Sequence, residues 1–192
     1  MDNGGQWTHR EWRVLRYLGQ DTQIVDNKTP VEELEEANLD GLMLSGGAPR
    51  VGVEGKLGNC GDYFDRLDIP IVGICAGHQF MARHFGGDAA PGKAPEFGAV
   101  EMEVLAEGDI LKGVPRTSTV WESHHDEVSV VPKGFTVLAR SATCPVQVMR
   151  SDNRPLFGIQ FHPEVEHTQA GLTIFRNFVR ICEETKRTQV KA

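Results

Sequence analysis

The residues best suited to covalent chemistry are found around Cys75, which directly follows the short apolar run 69–74. Gly73 and Gly77 stand two residues before and after it. A sharp strand-to-helix turn requires such small neighbours, so this spacing predicts a nucleophile elbow that presents the Cys75 thiol. A helix that begins just after Cys75 directs its positive end at the sulfur and favours the thiolate. The alternative is a buried structural cysteine, since free cysteines are often buried.

His162 and Glu164 follow a second predicted strand, residues 155–161. Because the carboxyl ends of parallel strands meet at one sheet edge, we expect His162 to reach Cys75 there. A thiolate that attacks an amide carbon needs a base, a group that orients the base, and oxyanion donors. His162 and Glu164 can provide the first two, and the backbone amides of Gly46-Gly47 and Ala76 can provide the last, although Gly46-Gly47 taken alone is better explained as an ordinary turn. Taken alone, His162 is equally well explained as a structural histidine.

The composition is that of a single globular domain, which we assign to residues 1–192. It is 40% hydrophobic and 24% charged, and its net charge of -7 argues against nucleic-acid or anionic membrane surfaces as partners. The sequence contains no apolar stretch of the roughly 20 residues that span a bilayer, and its polar start does not resemble a signal peptide. The four scattered cysteines indicate free thiols, so we expect a cytoplasmic protein. Histidine spacing argues against a zinc site.

Helices and strands are expected to alternate up to residue 87 and to place the site at the carboxyl ends of parallel strands. We predict helices at 8–18 and 63–67, and another that starts with Thr29 as N-cap and Pro30 as first helical residue. Strands are predicted at 22–26, 40–44 and 69–74, and a glycine-rich loop at 50–61. Further strands are predicted at 99–105, 118–121, 127–131, 135–141, 146–149 and 155–161. A final helix at 170–184 should bury Leu172, Phe175, Val179 and Cys182. No strand precedes the first helix, although a sheet of this type normally begins with one.

Two motifs, Gly73-Ile-Cys-Ala-Gly-His-Gln79 and Phe161-His-Pro-Glu164, resemble those of the class I glutamine amidotransferases. The opening segment 2–9 and the segments 121–128 and 162–171 are similar to the glutaminase subunits of GMP synthases, in particular the separate subunits of archaeal type. The resemblance covers essentially the whole chain. It implies an α/β, flavodoxin-like sandwich with a mainly parallel central sheet, flanking helices and additional antiparallel strands, here with the first strand apparently missing.

The resemblance also implies a role for each matching residue. Cys75 would be the nucleophile, His162 the base and Glu164 the group that orients it, while the backbones of Gly47 and Ala76 would bind the oxyanion. The residues expected to hold the substrate L-glutamine are Gln79, Ser123, His125 and Asp126. No metal or cofactor is expected in this chain. ATP and Mg²⁺ are expected on a separate ATP-pyrophosphatase subunit, which would use the ammonia to convert xanthosine 5′-phosphate to GMP.

Three functions remain open at this point. The first is the glutaminase subunit just described. The second is an amidotransferase subunit for another acceptor or a free-standing γ-glutamyl hydrolase. The third is a non-catalytic binding or regulatory module, which the presence of Cys75, His162 and Glu164 argues against.

Overall fold

The computed structural model describes residues 1–190, in which helices and strands surround one sheet. The helices are α1 (Thr8–Tyr17), α2 (Val31–Glu36), α3 (Val51–Glu54), α4 (Cys60–Arg66), α5 (Ala76–His84) and α6 (Gly171–Gln189). The strands are β1 (Leu42–Leu44), β2 (Ile71–Ile74), β3 (Asp88–Val104), β4 (Thr117–Val130), β5 (Phe135–Ser141), β6 (Val148–Ser151) and β7 (Leu156–Ile159). A short 3-10 helix covers Asp109–Leu111.

The seven strands described within residues 1–190 form one sheet in the order β1-β2-β7-β6-β5-β3-β4. β1, β2 and β7 run parallel to one another, and the remaining neighbours pair antiparallel. This arrangement confirms the predicted α/β class with additional antiparallel strands. None of the helices in this part of the chain combines the length and apolar character needed to cross a membrane.

The parallel strands are buried on both faces, which explains their continuous apolar sequences. In β2, Val72 and Ile74 belong to a core that also includes residues of α6, whereas Ile71 packs into a second core with residues of α2, α4 and α5. Successive strand residues point to opposite faces, so a four-residue strand contributes to both cores. Helices therefore cover both sides of the sheet edge that carries Cys75.

The predicted strand at 22–26 is wrong. Within this segment only Asp26 forms a β-bridge, with Asp2. Two hydrogen bonds make up the bridge: the Asp2 amide donates to Val25 O, and the Asn27 amide donates to Asp2 O. Before α1, residues 2–4 likewise form only isolated bridges, to Asp26 and Gly47. A strand needs a neighbour of matching length, and residues 22–25 have none among residues 1–190.

Several predicted boundaries are also corrected. Pro30 is the N-cap of α2 rather than its first helical residue, and the predicted loop 50–61 contains α3. β3 begins at Asp88, well before residue 99. In α6, the predicted burial of Phe175 and Cys182 is confirmed, but Leu172 is exposed and Val179 only partly buried, while Ile174 and Phe178 are also buried.

The two strands predicted at 118–121 and 127–131 form the single strand β4. The polar residues between them suggested a break, but Glu122, His124 and Asp126 alternate on the buried face of a continuous strand. His124 contacts Glu96 of β3, with 3.0 Å between Nε2 and a carboxylate oxygen. Buried polar side chains that are paired in this way can occupy a strand interior. Ser123 is thereby held in regular structure beside Cys75.

Candidate active site

Cys75 occupies the predicted sharp turn between β2 and α5. Its backbone has φ 48° and ψ -102°, a combination that L-residues rarely adopt. The flanking glycines allow this close packing: a Cβ on Gly73 would lie 2.5 Å from the carbonyl carbon of Gly77, and one on Gly77 would lie 2.6 Å from the Leu44 oxygen. The strand, turn and helix therefore form the elbow that the sequence predicts.

The Cys75 side chain is mostly buried but borders a cavity. The residue is 8% exposed, and its Sγ lies 3.7 Å from Gln160 Nε2, which donates to it, and 4.0 Å from the Ser123 carbonyl oxygen. α5 begins at Ala76, so the first turn of the helix starts immediately after the sulfur. Partial positive charge at a helix N-terminus favours negative charge on that sulfur.

His162 and Glu164 meet Cys75 at the carboxyl end of β7. His162 Nδ1 donates to Glu164 Oε1 at 2.7 Å, and the His162 side chain lies in the same cavity wall as Cys75. The backbone N–H of His162 donates to Trp121 O of β4 at 2.9 Å, which fixes the segment after β7. Burial lowers the pKa of His162, but its interactions with the Cys75 and Glu164 side chains outweigh burial and raise that pKa to about 10. The imidazole is therefore protonated at neutral pH.

A cavity of about 300 Å³ opens beside these three residues. Its wall is formed by the turn 4–8, by Glu11 of α1, by the loop 46–48, and by Cys75, Ser123, His162 and Glu164. The Trp7 ring packs edge-on against the His162 imidazole, with 4.3 Å between the ring centroids. This volume is at the lower end of the range for small-molecule sites.

The two predicted oxyanion residues lie at this cavity. Gly47 is in its wall and is bridged to Asn3 and Gly4, while Ala76 directly follows Cys75. A Cβ on Gly47 would lie 2.5 Å from the Asn3 oxygen, so this position requires glycine. Their role in binding an oxyanion stays a prediction.

Of the residues predicted to hold glutamine, only Ser123 lines the cavity. Gln79 is buried, and its amide donates to Asp126 O at 2.6 Å and to Gln160 Oε1 at 3.2 Å. The Asp126 carboxylate pairs with Arg50, and the exposed His125 packs against Phe97. Gln79 and Asp126 thus connect α5 to β4, and His125 lies on the exposed face of β4. The role of these residues in holding glutamine stays a prediction.

Sequence reasoning missed Glu11, which is 4% exposed and lines the cavity. The signal was present, because Glu11 lies four residues before Leu15 and one turn after Thr8, on the inner face of α1. A carboxylate in an amphipathic helix is ordinarily expected on its solvent side. Trp7 was also missed, although it lies in the cavity wall and packs against the His162 ring.

A second polar cluster lies between β3, β4 and the loop 142–147. Ligand atoms of Glu96, His124 and Cys144 lie within 4.8 Å of one another, as metal ligands would. However, the carboxylate of Glu96 already interacts with His124 and accepts hydrogen bonds from Ser141, Thr143 and Gln147. This donor set satisfies the carboxylate without an ion, so the cluster is better described as a buried hydrogen-bond network.

A cysteine on a strand-to-helix elbow, paired with a histidine and glutamate after a neighbouring strand, defines a cysteine-dependent acyl-transfer site of the triad type. The family model for class-I glutamine amidotransferases matches residues 1–182, and the chain belongs to this family. Its relatives include a glutamine-hydrolyzing GMP synthase subunit of Thermoplasma acidophilum, 53% identical over 98% of this chain and 94% of that protein. The corresponding GMP synthase subunit of Thermococcus kodakarensis is 50% identical over 96% of this chain and 97% of its own length.

Solved structures agree with the fold. The crystal structure of a Thermoplasma acidophilum protein described as a GMP synthase subunit matches with a TM-score of 0.93 at 53% identity, covering 98% of this chain and 94% of that one. A glutamine amidotransferase from Thermotoga maritima matches with a TM-score of 0.68 at 20% identity, over 93% of this chain and 77% of that one. At that identity the likeness concerns the fold alone.

Proposed function

We propose that this chain is the glutaminase subunit of a GMP synthase, which hydrolyses L-glutamine and delivers the ammonia to a partner chain. The observation that carries the proposal is the meeting of Cys75, His162 and Glu164 at one wall of the cavity. The similarity to two archaeal GMP synthase subunits over nearly their full length supports the choice of GMP synthase.

The geometry supports a two-step reaction through a thioester. The Cys75 thiolate attacks the side-chain carboxamide carbon of glutamine, and the backbone amides of Gly47 and Ala76 stabilise the oxyanion that forms. The His162 imidazolium gives its proton to the departing nitrogen, which leaves as ammonia. Neutral His162 then removes a proton from water, which attacks the γ-glutamyl thioester and releases glutamate and the Cys75 thiolate, so that the thiolate and imidazolium are restored. Glu164 holds Nδ1–H of His162 and stabilises the imidazolium.

The acceptor chemistry belongs to the separate partner. An ATP-pyrophosphatase subunit that binds ATP and Mg²⁺ would activate xanthosine 5′-phosphate and receive the ammonia. The relatives are named as one subunit of their synthase, which supports a second chain. In this division of labour the present chain supplies the thiol, base and oxyanion donors and needs no cofactor of its own.

The direct test is glutamate release by the purified chain, alone and with the ATP-pyrophosphatase subunit, its nucleotides and Mg²⁺. We expect weak activity alone and strong stimulation by that subunit. Cys75→Ala should abolish hydrolysis and labelling by a diazo-ketone glutamine analogue while the chain still folds and binds its partner. Cys182→Ala is the matched control, because Cys182 is a buried cysteine of α6 outside the cavity.

Each other outcome selects another function. Stimulation by a different synthase subunit would assign another acceptor, and full activity without a partner would indicate a γ-glutamyl hydrolase. No glutamate with any partner, together with an unlabelled Cys75, would contradict a catalytic role altogether.

A further inference from the structure

Gln160 follows β7 directly and places a side-chain amide beside the Cys75 sulfur. The residue is fully buried, and its backbone N–H donates to Gln147 O at 2.8 Å. Burying an amide costs free energy that its hydrogen bonds roughly offset, so packing alone does not require a polar side chain here. The position therefore calls for an explanation in terms of what the amide does at the site.

The orientation of the Gln160 amide is fixed by a second amide and a backbone carbonyl. A carbonyl oxygen only accepts hydrogen bonds, so Gln79 must present its Nε2 to Asp126 O, at 2.6 Å. The same Nε2 donates to Gln160 Oε1 at 3.2 Å. With its oxygen held in this way, Gln160 presents its own Nε2 to Cys75 Sγ, at 3.7 Å. The reverse orientation would bring two donors together and point an oxygen at the sulfur.

The Asp126 carbonyl is itself held by the buried network of β3 and β4. His124 Nδ1 donates to Asp126 O at 3.0 Å, and His124 Nε2 donates to Glu96 Oε2 at 3.0 Å. Both ring nitrogens face acceptors, so both carry a proton. Two donors, from His124 and Gln79, thus converge on one carbonyl oxygen. The donor that faces the Cys75 sulfur is therefore anchored, through Gln79, to regular structure in β4.

We propose that Gln160 is a catalytic residue of the glutaminase reaction, whose Nε2–H stabilises the Cys75 thiolate as it leaves the γ-glutamyl thioester. This inference rests on the proposed glutaminase function. In that step the oxygen of water bonds to the thioester carbon and His162 takes the proton. The carbon–sulfur bond then breaks, and its electron pair stays on sulfur. A hydrogen bond to an anion is stronger than one to a neutral atom, so the Gln160 amide binds the departing thiolate more tightly than the thioester.

The two halves of the reaction depend on this donor in opposite ways. Negative charge leaves the sulfur when it attacks glutamine and returns to the sulfur when the thioester is hydrolysed. A donor on the sulfur therefore lowers the barrier to hydrolysis, whereas it makes the attacking thiolate less nucleophilic. Loss of the donor should slow hydrolysis of the thioester much more than its formation.

The test compares Gln160→Met with the wild-type chain, each bound to the ATP-pyrophosphatase subunit and in excess over glutamine. Methionine is unbranched and of similar length, so it fills the same space without a donor. Rapid quenching, intact-mass measurement of the γ-glutamyl thioester, and assays of ammonia and glutamate follow one turnover. We expect hydrolysis of the thioester to slow roughly 10-fold, as for the loss of one hydrogen bond to a charged atom, and its formation to change by less than about 3-fold.

Gln147→Met is the matched control. Gln147 is also fully buried, but its Nε2 donates to Glu96 at 2.8 Å rather than to the sulfur. The same substitution there should lower stability and leave the ratio of the two rate constants as in the wild type. Gln160→Asn is a second variant, which keeps an amide on a side chain one methylene shorter. Its nitrogen no longer reaches Sγ, so hydrolysis of the thioester should again slow selectively.

The outcomes separate this inference from the proposed function. If the wild type with its partner hydrolyses no glutamine, the proposed function fails, and this inference fails with it. If the wild type is active and a folded Gln160 variant slows both steps equally, slows only formation or slows neither, the role of Gln160 is overturned while the glutaminase function stands. Thermal unfolding establishes that each variant folds, and the asparagine variant decides if the methionine variant does not. Should neither fold, Gln160 is a structural residue, which also overturns the proposal.

Discussion

At the scale of single residues, the strained backbone of Cys75 links the local structure to the chemistry of the site. A cysteine with φ 48° and ψ -102° lies outside the regions that L-residues favour. Such strain costs on the order of 1–3 kcal/mol and persists only where the surroundings impose it. Here β2 and α5 impose it, and the result is that the Cys75 side chain projects towards His162.

We predict that Cys75→Gly is more stable than Cys75→Ala by about 1 kcal/mol. Both variants lose the thiol and all hydrolysis, but alanine keeps the Cβ that makes this backbone unfavourable, whereas glycine adopts it freely. The greater freedom of unfolded glycine offsets part of the gain, roughly 0.5–1 kcal/mol. Urea unfolding of the two proteins measures the difference. A glycine variant less stable than the alanine variant would show that the turn is unstrained.

At the scale of elements, the site depends on how closely α5 approaches the sheet. A Cβ on Gly77 would lie 2.6 Å from Leu44 O and 3.0 Å from Leu44 Cβ, so the first turn of α5 touches the backbone of β1. Any larger residue at this position would push the two elements apart. The distance between β1 and α5 in turn sets the separation of the loop after β1 from Cys75, and hence the geometry of the proposed oxyanion donors.

Gly77→Ala should therefore destabilise the chain by roughly 1–3 kcal/mol, despite the better helix propensity of alanine, because the added methyl group meets rigid backbone. Glutaminase activity should fall as α5 moves. Gly61→Ala in α4 is the matched control: its Cβ would meet only side-chain atoms, the His84 ring at 3.4 Å and Phe80 Cζ at 4.0 Å, which are ordinary contacts. That variant should be unchanged or gain up to about 1 kcal/mol. Equal unfolding free energies for the two variants would contradict the packing argument.

At the scale of the whole molecule, buried titratable groups make stability depend on pH. The pKa of His162 is raised to about 10 from its usual value near 6.5, so its contribution is fully present below pH 6.5 and is lost as the pH rises through 10. The pKa of His124 is also raised, because Glu96 and Glu122 raise it by more than burial lowers it. Its contribution to stability is therefore likewise lost as the pH rises. His78 acts oppositely at low pH, since burial lowers its pKa to about 3. Its contribution is lost as the pH falls below 6.5.

We predict that the free energy of unfolding declines between pH 7 and 10 and that Glu164→Gln makes this decline shallower. The substitution removes the carboxylate next to Nδ1, so the pKa of His162 falls and less stability is lost on the alkaline side. Denaturant unfolding at several pH values measures the slope. Glu166→Gln, an exposed carboxyl two residues further on, is the control and should leave the slope unchanged. An identical slope in wild type and Glu164→Gln would show that the His162–Glu164 pair does not determine how stability declines at alkaline pH.

The sequence by itself determined the parts of the site that depend on local backbone sterics. The sharp turn at Cys75 leaves no room for side chains at Gly73 and Gly77, so the elbow could be predicted from the spacing of these glycines. Glu164 stands two residues after His162, close enough along the chain for their 2.7 Å contact to be expected. The α/β class and the strands β2 and β7 could also be predicted, because apolar periodicity is a local signal.

The tertiary structure alone decided which distant side chains satisfy one another. The polar run in β4 looked like a break because its buried partner Glu96 is 28 residues away in sequence. Residues 22–26 looked like a strand, although among residues 1–190 only an isolated bridge to Asp2 pairs with them. Glu11 looked like a solvent-facing acid until α1 was placed beside Glu164. Burial and pairing depend on chain segments that approach only in the folded molecule, so a pattern within one element cannot reveal them.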